Sequence, residues 1–341
     1  MHMADALISP AVGGNMWAVT ACTIAYCSSK VHQGFDDRRV PLMGVLGAFI
    51  FAAQMINFTI PATGSSGHIG GGLLLAILLG PSAALLTIAS VLFIQALFFA
   101  DGGLLALGCN IFNLGIFPAF IAYPLLYRRL AGRAPNQTRL VVAAVIAAII
   151  ALQLGAFAVV LETVASGISA LPFGAFVLLM QPIHLAIGVI EGLATAAIIA
   201  FVFRARPELV ESTLANRPLG SLPIRSMLAA FALAAVLLGS VVSWFASTQP
   251  DGLEWAISKV AGTEELPAPA HPLHSTLAAI QKKMAIFADD TGRPEPIESG
   301  NLAATEIAPI DSGLPGLIGG IATLATCLLA GVLLRSYARR A

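Results

Sequence analysis

The sequence predicts an all-α polytopic membrane protein. It is 57% hydrophobic and only 11% charged over 341 residues, with a mean hydropathy of +0.87, whereas a soluble domain carries about 25% charged residues. The apolar residues fall in long runs, most of which reach the roughly 20 residues that a membrane-spanning helix needs. The formal net charge is zero, so the composition does not point to a nucleic-acid partner.

Nine apolar segments follow one another along the chain. They lie near 11–29, 41–58, 66–80, 82–100, 104–127, 139–164, 176–204, 226–247 and 314–334. The third is short, because 66–80 would rise only about 22 Å as a helix against a hydrocarbon core of about 30 Å. The sequence leaves open whether this segment spans fully. Gly80-Pro81 either breaks the chain into two passes here or kinks one span over 66–100.

The distribution of basic residues favours the break. With nine passes and an external N-terminus, 14 of the 18 Lys and Arg residues lie on the cytoplasmic side, as the positive-inside rule requires. They are Lys30, Arg38, Arg39, Arg128, Arg129, Arg133, Arg139, Arg204, Arg206, Arg217, Arg225, Arg335, Arg339 and Arg340. A single span over 66–100 would place the 128–139 cluster opposite the 30–39 cluster. We therefore expect nine passes, with the N-terminus outside and the C-terminus in the cytoplasm.

Met1-His2 is a candidate metal chelator. The terminal amine, the His2 backbone nitrogen and His2 Nδ1 can close a five-membered and a six-membered chelate ring around one ion, which leaves a fourth equatorial position open. Ni²⁺ and Cu²⁺, and less readily Co²⁺, displace an amide proton near neutral pH. No signal-peptide pattern opens the sequence, so we expect Met1 to remain the terminus. The alternative interpretation is an accidental His on a frayed terminus.

His68 is the candidate fourth donor. It lies in the loop 59–72, which is rich in Gly, Ser and Thr and which shares the external side with Met1 and His2 in the nine-pass topology. Irregular backbone at membrane depth is tolerated only where it is buried in protein or lines a cavity. The alternative is a surface His that is hydrogen-bonded within its own loop.

Motifs of common metal and nucleotide enzymes are absent from the sequence. The P-loop pattern and the H-E-x-x-H pattern do not occur. The four cysteines lie in apolar stretches without C-x-x-C spacing, which is typical of small buried side chains. We therefore expect no ATP hydrolysis through a P-loop in this chain.

Four separated stretches carry a family resemblance. The stretches 1–7, 64–68, 100–113 and 184–192 occur in the order that is typical of the CbiM/NikM family, which they resemble. Members are S-components, the substrate-binding membrane subunits of energy-coupling-factor (ECF) transporters for cobalt and nickel. Over residues 1–215 the resemblance implies a seven-helix S-component core with Ni²⁺ or Co²⁺ as transported substrate and no organic cofactor. It also implies metal ligands at Met1, His2 and His68, and it leaves nickel against cobalt open.

Residues 216–341 resemble a different unit. Two further transmembrane helices, 226–247 and 314–334, flank an external loop over about 248–313 that begins Pro250-Asp251-Gly252-Leu253-Glu254. This looks like the PDGLE module, which is similar to the NikN/CbiN-type accessory subunits. We therefore expect two domains, 1–215 and 216–341, with a linker near 204–223.

The resemblance also implies partners and a location. It implies a coupling transmembrane subunit (CbiQ/NikQ-like) and ATPase subunits (CbiO/NikO-like), so the chain itself is not expected to be an enzyme. It implies a multi-pass protein in the inner (plasma) membrane of a prokaryote, in contact with lipid. Gly44, Ala48 and Ala52 recur at i, i+4 and i+8, a spacing that lets another helix approach closely. Contact with the coupling subunit is the first interpretation, and packing within the chain is the alternative.

Seven further residues are candidates for supporting the metal ligands: Met3, Gln95, Asp101, Asn110, Asn113, His184 and Glu191. Ionisable residues inside a span are functional hypotheses by default. His184 and Glu191 lie two turns apart on one helix face, too far to ligate one ion together. The alternative is a structural polar pair satisfied by Asn110, Asn113 or Gln153.

Gln95 and Asp101 are the candidates for orienting a metal-bound His. For Asp101 the alternative is simple turn formation, and for Met3 it is packing. Two rival functions also stay open: a membrane metalloenzyme, and a metal sensor or scaffold that does not transport. A catalytic metal keeps an open coordination position, which a nearly saturated chelate does not provide.

Overall fold

A computed structural model of the chain describes residues 2–34, 36–132, 135–220, 222–264, 266–267, 269–287 and 314–338. The predictions made for Met1, Arg133, Arg339 and Arg340 lie outside the described residues. So does the part of the predicted external loop over 288–313.

The described chain is helical almost throughout, which confirms the all-α prediction. The helices are α1 (Pro10–Gln33), α2 (Arg39–Gln54), α3 (Gly72–Leu79), α4 (Pro81–Phe98), α5 (Leu107–Ala131), α6 (Gln137–Ser166), α7 (Phe173–Ala205), α8 (Pro207–Leu214), α9 (Arg225–Ser240), α10 (Gly252–Ala261), α11 (Pro272–Met284) and α12 (Leu314–Ala338). Between α2 and α3 lies an antiparallel hairpin of β1 (Phe58–Ile60) and β2 (Ser65–Gly67). The nine predicted segments correspond to α1–α7, α9 and α12 in the same order.

Five of these helices are long and apolar enough to cross a membrane. They are Pro81–Phe98, Leu107–Ala131, Gln137–Ser166, Phe173–Ala205 and Leu314–Arg335. The helices α2 and α9 are apolar but have only 16 residues each, and α3 has eight. The third predicted segment therefore does not span by itself, because eight residues rise only about 12 Å.

The predicted break at Gly80-Pro81 is confirmed. Gly80 takes the positive φ of +82° that favours glycine, and Pro81 occupies the first turn of α4, where a missing N–H costs nothing. Helix α3 packs against both α4 and α5. The two helices are therefore separate elements rather than one kinked span.

Helix α5 is wound unusually. Its central part, Phe112–Tyr127, has π-helical hydrogen bonding and contains Pro118 and Pro124. Each proline lacks an N–H donor and crowds the preceding turn, and π-type winding is one way in which a helix accommodates such an interruption. The element still reaches Ala131 as one continuous helix.

The small-residue face of α2 packs within the chain. Helices α9 and α12 pack against α2. A Cβ on Gly44 would lie 2.8 Å from Leu324 Cδ1, and one on Gly320 would lie 3.8 Å from Ala48 Cβ. Ala52 is buried. This packing fits the alternative of contact within the chain, because α12 lies against Gly44 and Ala48, and contact of Gly44, Ala48 and Ala52 with the coupling subunit stays a prediction.

Helices α10 and α11 cover one end of the bundle, which we call the His2 end because it also carries His2, the β1–β2 hairpin and the loop 99–106. Helix α10 packs against α7 and β2, and α11 packs against α4. The Gln281 side chain donates to the carbonyls of Ala96, at 2.8 Å, and Gly102, at 2.7 Å. Helices α10 and α11 are thus bound directly to the preceding helices.

Candidate metal centre

The N-terminal segment is held by the loop between α4 and α5 and by the start of α5. The Met3 N–H donates to Asn110 Oδ1 at 2.8 Å, and Asn110 Nδ2 donates back to the Met3 carbonyl at 3.2 Å. The Gly103 N–H donates to the same carbonyl at 2.9 Å. Two residues later, Asp5 Oδ1 accepts from the Ala106 N–H at 2.9 Å. These bonds fix the backbone immediately after His2.

His2 is thereby placed next to Asp101. His2 Nδ1 lies 3.0 Å from Asp101 Oδ1, and the His2 side chain is only 4% exposed. The Asp101 N–H donates to the Gln95 carbonyl at 3.1 Å, while both polar atoms of the Gln95 side chain lack a partner among the described residues. Asp101 therefore holds the same ring nitrogen, Nδ1, that the predicted chelate uses, rather than the other ring nitrogen that an orienting group would hold, and Gln95 contacts Asp101 through its backbone.

The loop that carries His68 is held from two helices. Glu191 on α7 accepts from the Gly70 N–H with Oε2 and from the Gly71 N–H with Oε1, each at 3.0 Å. Gln54 on α2 donates to the Gly70 carbonyl at 2.7 Å. A buried carboxylate on two successive backbone donors leaves this loop little freedom. Glu191 therefore positions the loop that carries His68.

Glycine is required on both sides of His68. Gly67 lies against α7, where an added Cβ would fall 2.6 Å from Ile187 Cγ1. Gly71 combines a φ of +74° with a position where a Cβ would fall 2.6 Å from Ile50 Cδ1. At Gly67 an added side chain would force Ile187 or the loop to shift, and at Gly71 the positive φ strains any other residue as well.

The imidazole rings of the two candidate histidines are stacked on each other. The His2 and His68 centroids are 4.8 Å apart and the ring planes differ by 6°. Imidazole lone pairs lie in the ring plane, so two parallel, stacked rings cannot direct them at one shared ion. Chelation through His2 Nδ1 therefore requires the His2 ring to turn, which also takes Nδ1 away from Asp101.

The second domain contributes to the same end of the bundle. The Ser66 N–H donates to the Pro250 carbonyl at 2.8 Å, and Trp255 Nε1 donates to the Thr63 carbonyl at 2.9 Å. Asp251 begins α10 as its N-cap, with Oδ1 accepting from the backbone of Leu253 and Glu254. The α10 segment thus lies directly on the hairpin that precedes His68.

Charge and burial set the protonation of these groups. Burial, more than any neighbouring charge, lowers the pKa of His68 to about 3, so its ring is neutral at pH 7 and keeps one lone pair. Burial works to raise the pKa of Asp101, but the charge of His2 and its hydrogen bond lower that pKa to about 2. At Asp251 nearby positive charge likewise outweighs burial, so the pKa of its carboxyl lies below the usual range.

The remaining supporting candidates take structural positions. Met3 is fully buried, and its Sδ lies 4.0 Å from Asn113 Nδ2, which fits packing rather than ligation. Asn113 Nδ2 donates to Glu162 Oε2 at 2.8 Å. His184 Nδ1 lies 2.8 Å from the Met180 carbonyl oxygen. The alternative predicted that Asn110, Asn113 or Gln153 forms hydrogen bonds with His184 and Glu191. The structure shows other partners, since His184 contacts Met180 and Glu191 contacts Gly70 and Gly71.

Two polar residues near this end were missed in the sequence. Glu162 is a buried carboxylate inside an apolar helix, and the rule that such residues are functional hypotheses would have identified it. Asp251 has a local signal, the Asp-x-x-Glu capping box, but nothing local indicates that the preceding residue, Pro250, contacts the distant Ser66. Within the ranges that the structure describes, no three His, Cys, Asp or Glu side chains form a preformed metal site.

Known families match both parts of the chain. Residues 2–209 match the family described as the cobalt uptake substrate-specific transmembrane region, CbiM. Residues 225–336 match the PDGLE domain. These matches confirm the resemblances that the sequence motifs carry.

Individual relatives agree with the family matches. A protein of Haloquadratum walsbyi, provisionally named a metal transport protein, is 38% identical over 216 residues, which are 63% of this chain and 96% of the relative. A protein of Archaeoglobus fulgidus, provisionally named a fused nickel transport protein NikMN, is 35% identical over 70% of this chain and 79% of the relative. A crystal structure described as a truncated transition metal transporter is 30% identical, with a TM-score of 0.54 over 60% of this chain and 99% of that chain.

Proposed function

The chain belongs to the CbiM family of cobalt uptake transmembrane proteins, and we propose that it is the metal-binding membrane subunit of an ECF importer for Ni²⁺ or Co²⁺. The family consists of transport proteins rather than enzymes, as the sequence predicted. The proposal includes the division into a metal-binding domain, 1–215, and a PDGLE-like domain, 216–341. It also includes two kinds of partner. One is a coupling subunit, and the others are ATPases, whose hydrolysis of ATP supplies the energy for uptake.

One observation carries the proposal: His2 and His68, which lie far apart in the chain, come together in a buried pocket, where a turn of the His2 ring would direct both imidazoles at one ion. The Met1 amine, the His2 amide nitrogen and His2 Nδ1 supply three nitrogen donors. His68 supplies the fourth through Nε2, because an Nδ1–H that donates to the Ile69 carbonyl, 3.2 Å away, leaves the lone pair on Nε2. Four nitrogens in a plane suit Ni²⁺.

The net charge of the chelate explains which ions it prefers to bind. A protonated amine and a peptide N–H together give up about two protons when they bind a metal. A divalent ion therefore enters without changing the net charge beside Asp101 and Asp251, which stay ionised. Mg²⁺, Ca²⁺ and Zn²⁺ leave the amide protonated and would add positive charge to a buried pocket, which is costly. Cobalt and nickel remain alternatives, with square-planar geometry favouring nickel.

Transport direction follows from the proposed topology. The positive-inside distribution of Lys and Arg puts the His2 end outside and the C-terminus in the cytoplasm. Metal is then captured from outside, and the partner ATPases drive its release to the cytoplasm.

Uptake of labelled metal tests the proposal. Cells that produce this chain together with its coupling subunit and ATPases should accumulate radioactive Ni²⁺ or Co²⁺, and an ATPase with an inactivated P-loop lysine should abolish accumulation. Metal binding without ATPase-dependent accumulation would instead support the metal sensor or scaffold.

A further inference from the structure

Helix α11 exposes a row of apolar side chains. Leu273, Ile280 and Met284 recur at i, i+7 and i+11, so they lie on one face of the helix. All three are exposed, Ile280 by 46%, and Ile286 just after the helix is 70% exposed. Exposed apolar surface of this kind marks contact with a partner or with a membrane.

The neighbouring side of α11 is bound to the protein. His274 Nε2 lies 2.9 Å from the Ile8 carbonyl oxygen, and Gln281 donates to two backbone carbonyls near the end of α4. His274 and Gln281 each follow an exposed apolar residue, which places them about 100° further round the helix. Ser275 and Lys282 come next, are exposed, and lie about 200° from the apolar face. The helix therefore has a bound side, an exposed apolar side, and a polar side opposite the apolar one.

The depth of α11 coincides with the end of a helix that is long enough to span the membrane. Gln281 donates to the carbonyl of Ala96, in the last turn of α4, and the Phe287 N–H donates to the Phe98 carbonyl at 3.1 Å. Helix α4 has 18 residues, which rise about 27 Å and nearly match a hydrocarbon core of about 30 Å. Its last turn therefore lies near the boundary between acyl chains and headgroups, and so does α11.

Other exposed apolar side chains lie at the same end of the bundle. Trp244 is 64% exposed and Phe245 is 81% exposed, and both follow α9. The Ser247 N–H donates to the Asn57 carbonyl at 2.7 Å, which places this turn at the His2 end, beside the β1–β2 hairpin. Exposed aromatic residues are typical of the boundary between a membrane and water. The apolar surface at this level thus extends beyond α11.

The charges of α11 also suit a lipid surface. The helix contains Lys282 and Lys283 and has no Asp or Glu, so anionic headgroups attract it. Lys283 lies three residues after Ile280 and therefore flanks the apolar face. A lysine in this position lays its stem along apolar surface while its ammonium group reaches the phosphates.

We propose that α11 lies in the membrane interface at the His2 end, with Leu273, Ile280 and Met284 among the acyl chains of the adjacent leaflet. Its polar side faces water, and Lys283 binds headgroup phosphates. The helix is then held between the lipid and the segment that follows His2. This position of α11 depends neither on the proposed chelate nor on the direction of transport.

Spin labelling of the full-length protein in lipid nanodiscs tests this position. The discs contain phosphatidylcholine and phosphatidylglycerol, and the background is Cys22→Ser because Cys22 is exposed. Power saturation of a nitroxide at Ile280→Cys measures collisions with O₂, which concentrates among acyl chains, and with chromium oxalate, which stays in water. The ratio of oxygen to chromium oxalate collisions should be severalfold higher at Ile280→Cys than at Ser275→Cys, the matched control on the polar side. Leu273→Cys provides a second apolar position, should the first variant be misfolded.

Two results would overturn the lipid contact. Equal collision ratios at Ile280→Cys and Ser275→Cys would place the apolar face in water. A label at Ile280→Cys that neither reagent reaches would show that protein covers the face, either residues 288–313 or a second copy of the chain. The labels report the position of α11 whether or not the protein binds nickel, so the failure of this proposal can be told apart from the failure of the chelate.

Discussion

The His2 and His68 rings stack with centroids 4.8 Å apart and planes 6° apart. Each ring is held by a different set of contacts. The backbone after His2 is fixed by Asn110 and Gly103, whereas the backbone after His68 is fixed by Glu191 and Gln54. The stacking of the two rings therefore depends on both sets of contacts. A substitution in one set can shift one ring without changing the contacts that hold the other.

Removal of the His68 imidazole tests the fourth donor. His68→Ala should weaken Ni²⁺ binding by about 10-fold or more, which corresponds to about 1.4 kcal/mol, because water replaces a nitrogen ligand. His2→Ala should weaken binding further, since it removes the imidazole that closes the chelate. Calorimetric titration of both variants and of the wild-type protein at one pH measures the difference.

The visible spectrum provides an independent check on the same variants. Square-planar, diamagnetic nickel should give a weak d–d band in the wild-type complex, and His68→Ala should shift it. A wild-type spectrum and affinity in His68→Ala would show that the fourth ligand lies elsewhere, and His184 would be the next residue to test.

Glu191 should position His68 without binding metal. Glu191→Gln keeps the side-chain size but replaces one of the two acceptors of the Gly70 and Gly71 N–H groups with a donor. We expect a loss of about 1–3 kcal/mol in the free energy of unfolding and a severalfold loss of nickel affinity. The matched control is Glu208→Gln, because Glu208 is exposed on α8. Equal stability and affinity in both variants would exclude the positioning role.

The protonation of His68 should make stability depend on pH. The pKa of His68 is about 3 in the folded protein, against an ordinary value of 6.5. Between pH 6.5 and pH 3 the unfolded chain therefore binds more protons at this residue, so stability falls as the pH is lowered through that window. The unfolding midpoint in detergent, with a chelator present, should drop between pH 6.5 and pH 4.

The matching variant identifies the residue responsible. His68→Ala should lose stability less steeply than the wild-type protein over the same pH range. Identical slopes in the two proteins would contradict the assignment to His68.

Cysteine labelling tests the topology. In a Cys22→Ser background, because Cys22 is exposed, a Thr276→Cys protein should react with an impermeant thiol reagent in intact cells. A Thr138→Cys protein should react only after the cells are opened. Both side chains are exposed in the structure. The reverse pattern would place the His2 end in the cytoplasm and refute uptake from outside through this site.

The order of the helices was predictable from the sequence because its signals are local. Run length identified the apolar segments, and Gly80-Pro81 marked the boundary between α3 and α4. The partner of the small-residue face on α2 was not predictable. Small residues at Gly44 and Ala48 show that another backbone comes close, but they do not show that this backbone is α12 rather than another protein.

The candidate site also has features that the sequence predicts and features that it does not predict. His2 was identified because the chelate depends only on its position in the chain, and His68 because a glycine-rich loop in a membrane segment is unusual. The contact of Ser66 with Pro250 joins residues without any local signal of their proximity. The parallel stacking of the rings was also not predictable, since it depends on where Asp101 holds His2.

The amino-terminal amine is the donor that defines the proposed chelate, and extending the chain tests it most directly. Nickel should be titrated calorimetrically into the protein with a free Met1 amine and into a protein with one additional residue before Met1. A chelate at the terminus predicts tight binding with release of about two protons in the first protein and loss of binding in the second, with both equally stable. Unchanged nickel affinity in the extended protein would contradict the chelate.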